Sequence, residues 1–226
     1  MKRQIFSIFA LAAAAAFAQE AAADKTALQQ RIGELKQSIA QNQTQLKQYA
    51  WTETVAISLK GDEKKRTQSD CKYGPDGKVQ KTAIGTPPPA KKQKGLKGKI
   101  VANKIDDMKQ YMDRVASLMR RYLPPNPPAL QSAFQAGKAT IDKASGEVTF
   151  KDYAKPGDKL TFAFDTATKK IRSIAVDTYL DKADDKVTVN ARFTALPDGT
   201  NFLEESVLEA TGEKIQVKTT NSGHHK

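Results

Sequence analysis

The chain has 226 residues, 39% of them hydrophobic, and carries 37 Lys and Arg against 25 Asp and Glu, a formal net charge of +12. Its single cysteine, Cys71, excludes an internal disulfide, so a stable fold must rest on a packed core. The basic balance suits anionic lipid headgroups, acidic polymers or nucleic acid, and charge alone does not choose among them.

Met1-Lys2-Arg3-Gln4 precedes an apolar run from Ile5 to Ala18, and Ala16-Phe17-Ala18 stands before Gln19. A basic start, a short apolar core and a small-residue end form the pattern of a secretory signal peptide over residues 1–18. The run is shorter than the ~20 residues a membrane span needs, which argues against a retained anchor helix. No cysteine follows the cleavage point to accept a lipid. The expected mature protein is a single domain over 19–226, secreted, and periplasmic if the source is Gram-negative. Removing 18 of 226 residues leaves 208, enough for one core, and lowers the charge from +12 to +10.

After an alanine-rich leader, a helix is expected from Thr26, with Thr26 and Gln29 as a capping box. Leu28, Ile32, Leu35, Ile39, Leu46 and Tyr49 make a narrow stripe, with Asn42 at the remaining seam position. Two readings compete: a short coiled coil whose register Asn42 sets, and a surface helix laid on a sheet. Three heptads are marginal for a coiled coil and the rest of the chain supplies a sheet, which favours the second.

At Leu46–Lys60 the period changes. Trp51, Val55, Ile57 and Leu59 alternate with polar or small residues, and only Glu53 breaks the apolar side. A polar strand follows over Glu63–Tyr73. Gly74-Pro75-Asp76-Gly77 is a turn, and a third strand runs over Lys78–Ile84. Gly85–Gly98, with Pro87-Pro88-Pro89 and several lysines, reads as a mobile loop. A second helix is expected over Val101–Leu123, its stripe formed by Val101, Ile105, Met108, Met112, Val115, Met119 and Tyr122. Pro124-Pro125 stops it. A short third helix starts from Asn126 as N-cap with Pro127 first, and Gly137 ends it. Seven further strands are expected at roughly ten-residue spacing: Ala139–Asp142, Glu147–Lys151, Lys159–Phe164, Lys170–Tyr179, Lys186–Thr194, Asn201–Leu208 and Lys214–Thr220. Asn221–Lys226 reads as a polar tail. The fold class is α+β, one large antiparallel sheet covered by about three helices.

No zinc, nucleophile-elbow, P-loop or dinucleotide motif is present. His224 and His225 are adjacent at the extreme end and lack partners for a metal. Cys71 has no histidine within the folded region to activate it and reads as a strand cysteine. Neighbours on a strand point to opposite faces, so Glu204 and Glu205 do not form a carboxylate dyad. No catalytic residue, metal or cofactor is assigned, and no enzyme is expected.

Lys91, Lys92, Lys94, Lys97 and Lys99 form the one unusual charge feature. Nucleic acid is not expected there, because aromatic side chains are not interleaved. An anionic membrane surface suits it better, at ~1 kcal/mol per basic residue; a solvated loop is the alternative. Aromatic and aliphatic sheet positions beneath a Met-bearing helix suit either an ordinary core or a binding surface that repacks. On the second reading the cavity candidates are Trp51, Val55, Ile57, Leu59, Met108, Met112, Phe162, Phe164, Val189 and Phe193.

The order of signal peptide, helix, strand meander, proline-bearing loop, two helices and longer meander resembles the LolA-like family of periplasmic proteins. QLKQYAWTETVAISLKG looks like that family's passage from helix to first strand, and EKIQVKTTNSG like its last strand. The resemblance implies a half-open antiparallel barrel closed by helices, with an apolar cavity for acyl chains, no cofactor, and a lipid or lipoprotein as partner. The lid-holding arginine of the carriers has no match here, nor does the basic loop have a place in the family pattern. The expected function is therefore an exported, non-enzymatic binding protein for a lipid, acyl chain or lipidated partner. The alternative is an envelope scaffold with a filled core that meets its partner through the N-terminal helix or the basic loop.

Overall fold

The computed structural model describes residues 30, 33, 37, 40–85, 96–142, 144–165, 167, 168 and 170–226, the side chains of 96–103 and 127 apart. The expected signal peptide, and Lys91, Lys92 and Lys94, lie outside the described residues. A first helix, α1, ends at Leu46; among the described residues it holds Gln30, Gly33, Gln37 and 40–46. Ten strands follow the expected order: β1 (Ala50–Leu59), β2 (Asp62–Tyr73), β3 (Val79–Ile84), β4 (Ala139–Asp142), β5 (Glu147–Lys151), β6 (Lys159–Asp165), β7 (Lys170–Tyr179), β8 (Lys186–Ala195), β9 (Asn201–Ala210) and β10 (Ile215–His225). Helices α2 (Leu96–Met119) and α3 (Pro127–Gln135) stand between β3 and β4.

Every neighbouring pair is antiparallel, in the order β3-β2-β1-β10-β9-β8-β7-β6-β5-β4. The last strand lies beside the first and joins the two meanders into one ten-stranded sheet with open edges at β3 and β4. Directly opposed residues share a face, so the register draws rows across the sheet. One row reads Ala139, Phe150, Leu160, Val176, Val189, Leu208, Val217, Ile57, Lys65. The next reads Ile141, Val148, Phe162, Ile174, Ala191, Ser206, Thr219, Val55, Thr67. The helices cover this face: Tyr111, Val115, Leu118, Met119 and Tyr122 of α2 and its end, with Leu130 and Ala133 of α3, join the same core. Threonine and charged residues alternate onto the other face.

Tyr111 of α2 and Tyr122 just past its end latch the helix to the sheet. The Tyr111 hydroxyl donates to Asp185 Oδ1 at 2.7 Å, in the β7–β8 turn. The Tyr122 hydroxyl donates to Asp158 Oδ2 at 2.5 Å and lies 2.9 Å from Thr178 Oγ1. Asp158 is buried, yet its carboxylate also accepts the backbone N–H groups of Tyr153, Ala154 and Lys155. That full set of donors is what makes a buried carboxylate tolerable.

Strand ends shift by one or two residues from the sequence expectation, and three boundaries differ in a way that matters for the site. α2 starts at Leu96 rather than Val101, so Lys97, which the sequence reading placed in the loop Gly85–Gly98, and Lys99, which follows it, belong to a helix. It ends at Met119, before the expected Leu123, where the chain tightens into a turn: the N–H groups of Arg121 and Tyr122 bond three residues back, to the carbonyls of Leu118 and Met119. The third correction is the C-terminus. Asn221–His225 is strand, with Asn221, Ser222 and His225 opposite Glu53, Thr52 and Ala50. A polar segment with no apolar alternation becomes strand because β1 offers it a ladder. The N-cap of α3 is as expected: Asn126 Oδ1 accepts from Ala129 N at 3.3 Å.

Candidate functional site

The first row is apolar as far as Ile57, while the second is apolar as far as Ala191 and then carries Ser206, Thr219 and Thr67 around Val55; their cover is not uniform either. Phe150, Leu160, Val176 and Val189 are buried, whereas Leu208, Val217 and Ile57 are half-buried and Lys65 is exposed. In the second row Val148, Phe162, Ile174 and Ala191 are buried, and Ser206, Thr219 and Val55 are not. The helices thus seal the face over β5–β8, and the cover thins over β9, β10 and β1. The same gradient runs along α2. Tyr111, Val115 and Leu118 are buried, Met112 and Met108 are half-buried, and Ile105 is 50% exposed.

The cavity candidates divide accordingly. Phe162, Phe164 and Val189 are sealed in the core. Trp51, Val55, Ile57, Leu59, Met108, Met112 and Phe193 are half-buried. Of these, Ile57, Leu59, Met108, Met112 and Phe193 pack against the core from its edge, together with Leu203, Leu208 and Val217. Five of the ten candidates thus stand along the edge of the core, three lie inside it, and Trp51 and Val55 are half-buried outside it. The basic-cluster candidates Lys91, Lys92 and Lys94, and the side chains of Lys97 and Lys99, lie outside the described residues.

One end of this strip is aromatic. Tyr73 of β2, Trp51 of β1, His224 of β10 and Phe202 of β9 meet ring to ring across four adjacent strands. Trp51 lies 5.6 Å from Tyr73 and stacks on His224 at 5.9 Å with an interplanar angle of 11°. His224 lies 4.0 Å from Phe202, and Tyr49 meets it edge-on at 6.5 Å. Gly223, at φ +65°, supplies the bend: Gly223 and His224 fall between the pairs Thr52–Ser222 and Ala50–His225, where only Trp51 opposes them. A glycine bulge of this kind re-aims the next side chain. Trp51 Nε1 donates to Asn221 Oδ1 at 3.0 Å, and Asn221 Nδ2 donates to the Leu203 carbonyl at 2.8 Å. Burial, and then the neighbouring His225, hold the His224 imidazole below its ordinary pKa.

Glu53, the one polar break in the apolar side of β1, pairs with Lys81 of β3 at 2.5 Å. Its carboxylate side chain is only 14% exposed. Cys71 is buried beside them, and its thiol is pushed up, first by burial and then by the Glu53 charge. That is the opposite of an activated nucleophile. Glu204 and Glu205 enter separate ion pairs, with Arg192 at 2.9 Å and Lys218 at 2.7 Å. Among the described residues no three His, Cys, Asp or Glu side chains converge as metal ligands, and no helix is long and apolar enough to cross a membrane. What the arrangement offers chemically is apolar contact along a strip, ended by aromatic rings and one screened ion pair.

The sequence reading missed Asn221, His224 and Phe202. The available signal was Gly223: a glycine between strand-compatible residues marks a bulge as readily as a tail. The chain matches no protein-family model, no curated protein and no solved structure.

Proposed function

We propose that this protein is an exported, non-enzymatic carrier that holds a lipid, acyl chain or lipidated partner along the half-covered strip of the sheet. On this reading the sheet and helices form a half-open barrel on the LolA-like plan, with β1, β10, β9 and the first half of α2 as its mouth. The observation that carries it is the fading cover along the two rows. Ile57, Val217 and Leu208 continue the floor set by Val189 and Val176, yet stand at the rim of the lid. Each methylene moved from water onto such a surface contributes about 0.8 kcal/mol, so even a partly enclosed acyl chain binds usefully. The two methionines over the rim adapt to ligands of different shape.

Native mass spectrometry after detergent-free purification is the test. Expected is a co-purifying lipid that delipidation removes and a fluorescent fatty acid replaces. A protein that is lipid-free from the start and leaves the probe's emission unchanged sinks the reading.

One observation favours the scaffold alternative. Phe162, Phe164 and Val189, three of the ten cavity candidates, are already sealed by α2, α3 and their neighbours. If the rim is only the frayed border of a filled core, the partner meets the outside of the domain and no small molecule is retained.

A further inference from the structure

β3 is one edge of the sheet, and among the described residues no strand pairs with its outer side. All six of its residues are exposed. Val79 and Ile84, its two ends, are two of the three large hydrophobic residues exposed among those described.

The turn before it fixes which backbone groups are free. Gly74 N–H donates to the Lys78 carbonyl at 2.8 Å and Gly77 N–H to the Gly74 carbonyl at 2.9 Å, with Gly77 at φ +74°. This closes the hairpin with Gly74 and Lys78 as a hydrogen-bonded pair. Antiparallel pairs alternate, so Tyr73–Val79, Cys71–Lys81 and Ser69–Ala83 are non-hydrogen-bonded pairs. The N–H and C=O groups of Val79, Lys81 and Ala83 therefore point away from β2, to the open edge.

Exposed edges are usually guarded by a charge, a proline or a bulge. β3 has one charge, and it is turned inward: the Lys81 ammonium reaches across the sheet face to Glu53. The opposite edge, β4, has only four residues to offer.

We propose that β3 pairs antiparallel with β3 of a second copy of this chain across a two-fold axis. Such an axis stands normal to the sheet, so opposed residues must have the same parity along the strand. Of the two central registers, one sets Lys81 against its own copy, a like-charge pair that disfavours it. The other places Thr82 on the axis, Gln80 opposite Ile84 and Lys81 opposite Ala83. This register opposes no like charges and leaves each Lys81 on its Glu53. It joins the outward groups of Lys81 and Ala83 in hydrogen-bonded pairs, and a central threonine pair is a favourable cross-strand contact. The self-complementarity of this one strand selects a second copy as its occupant. Six residues a side is a small contact beside the ~1,200–2,000 Å² of a stable complex, so association is reversible and concentration-dependent.

The test is cross-linking at defined positions, with sedimentation over a concentration series. Thr82 meets its own copy at about 4.5 Å between Cα atoms, a separation a disulfide spans, whereas Gln80 lies about 14 Å from its copy. Expected is a mild-oxidant disulfide dimer from Thr82→Cys, far faster than from Gln80→Cys, with the parent and its buried Cys71 as blank. Ala83→Pro removes an outward N–H and no ladder bond to β2, so it returns the protein to monomer with its thermal midpoint kept. A protein monomeric at every concentration, equal cross-linking at positions 80 and 82, or unchanged association in Ala83→Pro overturns the proposal.

Discussion

The side-chain amide of Asn42 grips the backbone of Asn201 at both of its polar groups. Its Nδ2 donates to the Asn201 carbonyl and its Oδ1 accepts the Asn201 N–H at 2.6 Å. The contact ties α1 to the first residue of β9. Beside it the Tyr49 hydroxyl donates to Asp198 Oδ2 at 2.5 Å. Asn42 acts here as a clasp between helix and sheet, which agrees with the surface-helix reading. Asn42→Leu separates the two readings, because a coiled-coil seam gains from leucine while a clasp loses two hydrogen bonds. The expected outcome is a loss of about 1–3 kcal/mol in urea unfolding.

Val55 and Phe162 lie in the same row but should answer differently. Phe162 is buried, so Phe162→Ala should destabilise the fold by about 3–5 kcal/mol. Val55 is half-buried at the rim, and Val55→Glu should shift the thermal midpoint little while sharply weakening a fatty-acid probe. Thermal unfolding and probe titration on both variants check this. Equal loss of stability in the two would remove the distinction between floor and rim.

His224 should make this corner sensitive to acid. Its folded pKa lies below the ordinary value, so the unfolded chain holds the proton more tightly. The contribution to stability is full above the ordinary imidazole value of ~6.5 and is lost as pH falls through the lower, folded value. Trp51, the single tryptophan, stacks on this imidazole and reports it. Its emission should change on acidification below about pH 6.5, and His224→Phe should abolish that step.

The latch at the far end of α2 offers a fourth test. Tyr122→Phe removes the hydroxyl shared by Asp158 and Thr178, both buried. About 1–3 kcal/mol should be lost in chemical denaturation. Asp158→Ala should lose more, since it orphans three backbone N–H groups as well as that hydroxyl.

The aromatic row explains why part of the site was legible in the sequence and part was not. Trp51 stood out because it sits in the alternation of β1, and local alternation is a backbone property written in consecutive residues. The same holds for the stripe of α2, the Asn126 cap and the Gly74–Gly77 turn. His224 carried no such signal. Its place depends on β10 finding β1 more than a hundred residues away in sequence, and on Gly223 turning it there.

By itself, then, the sequence determined the number, order and approximate bounds of the strands, which face of each is apolar, and that α2 and α3 carry matching stripes. These follow from periods of two and 3.6, which need no knowledge of partners. Only the tertiary structure decided that the first and last strands lie together, that the helices seal β5–β8 and leave β9, β10 and β1 half-covered, and that β3 ends the sheet as an open edge. The physical reason is that pairing order and the reach of a lid are set by long-range packing. A valine at the rim of the lid and one beneath it read alike along the chain.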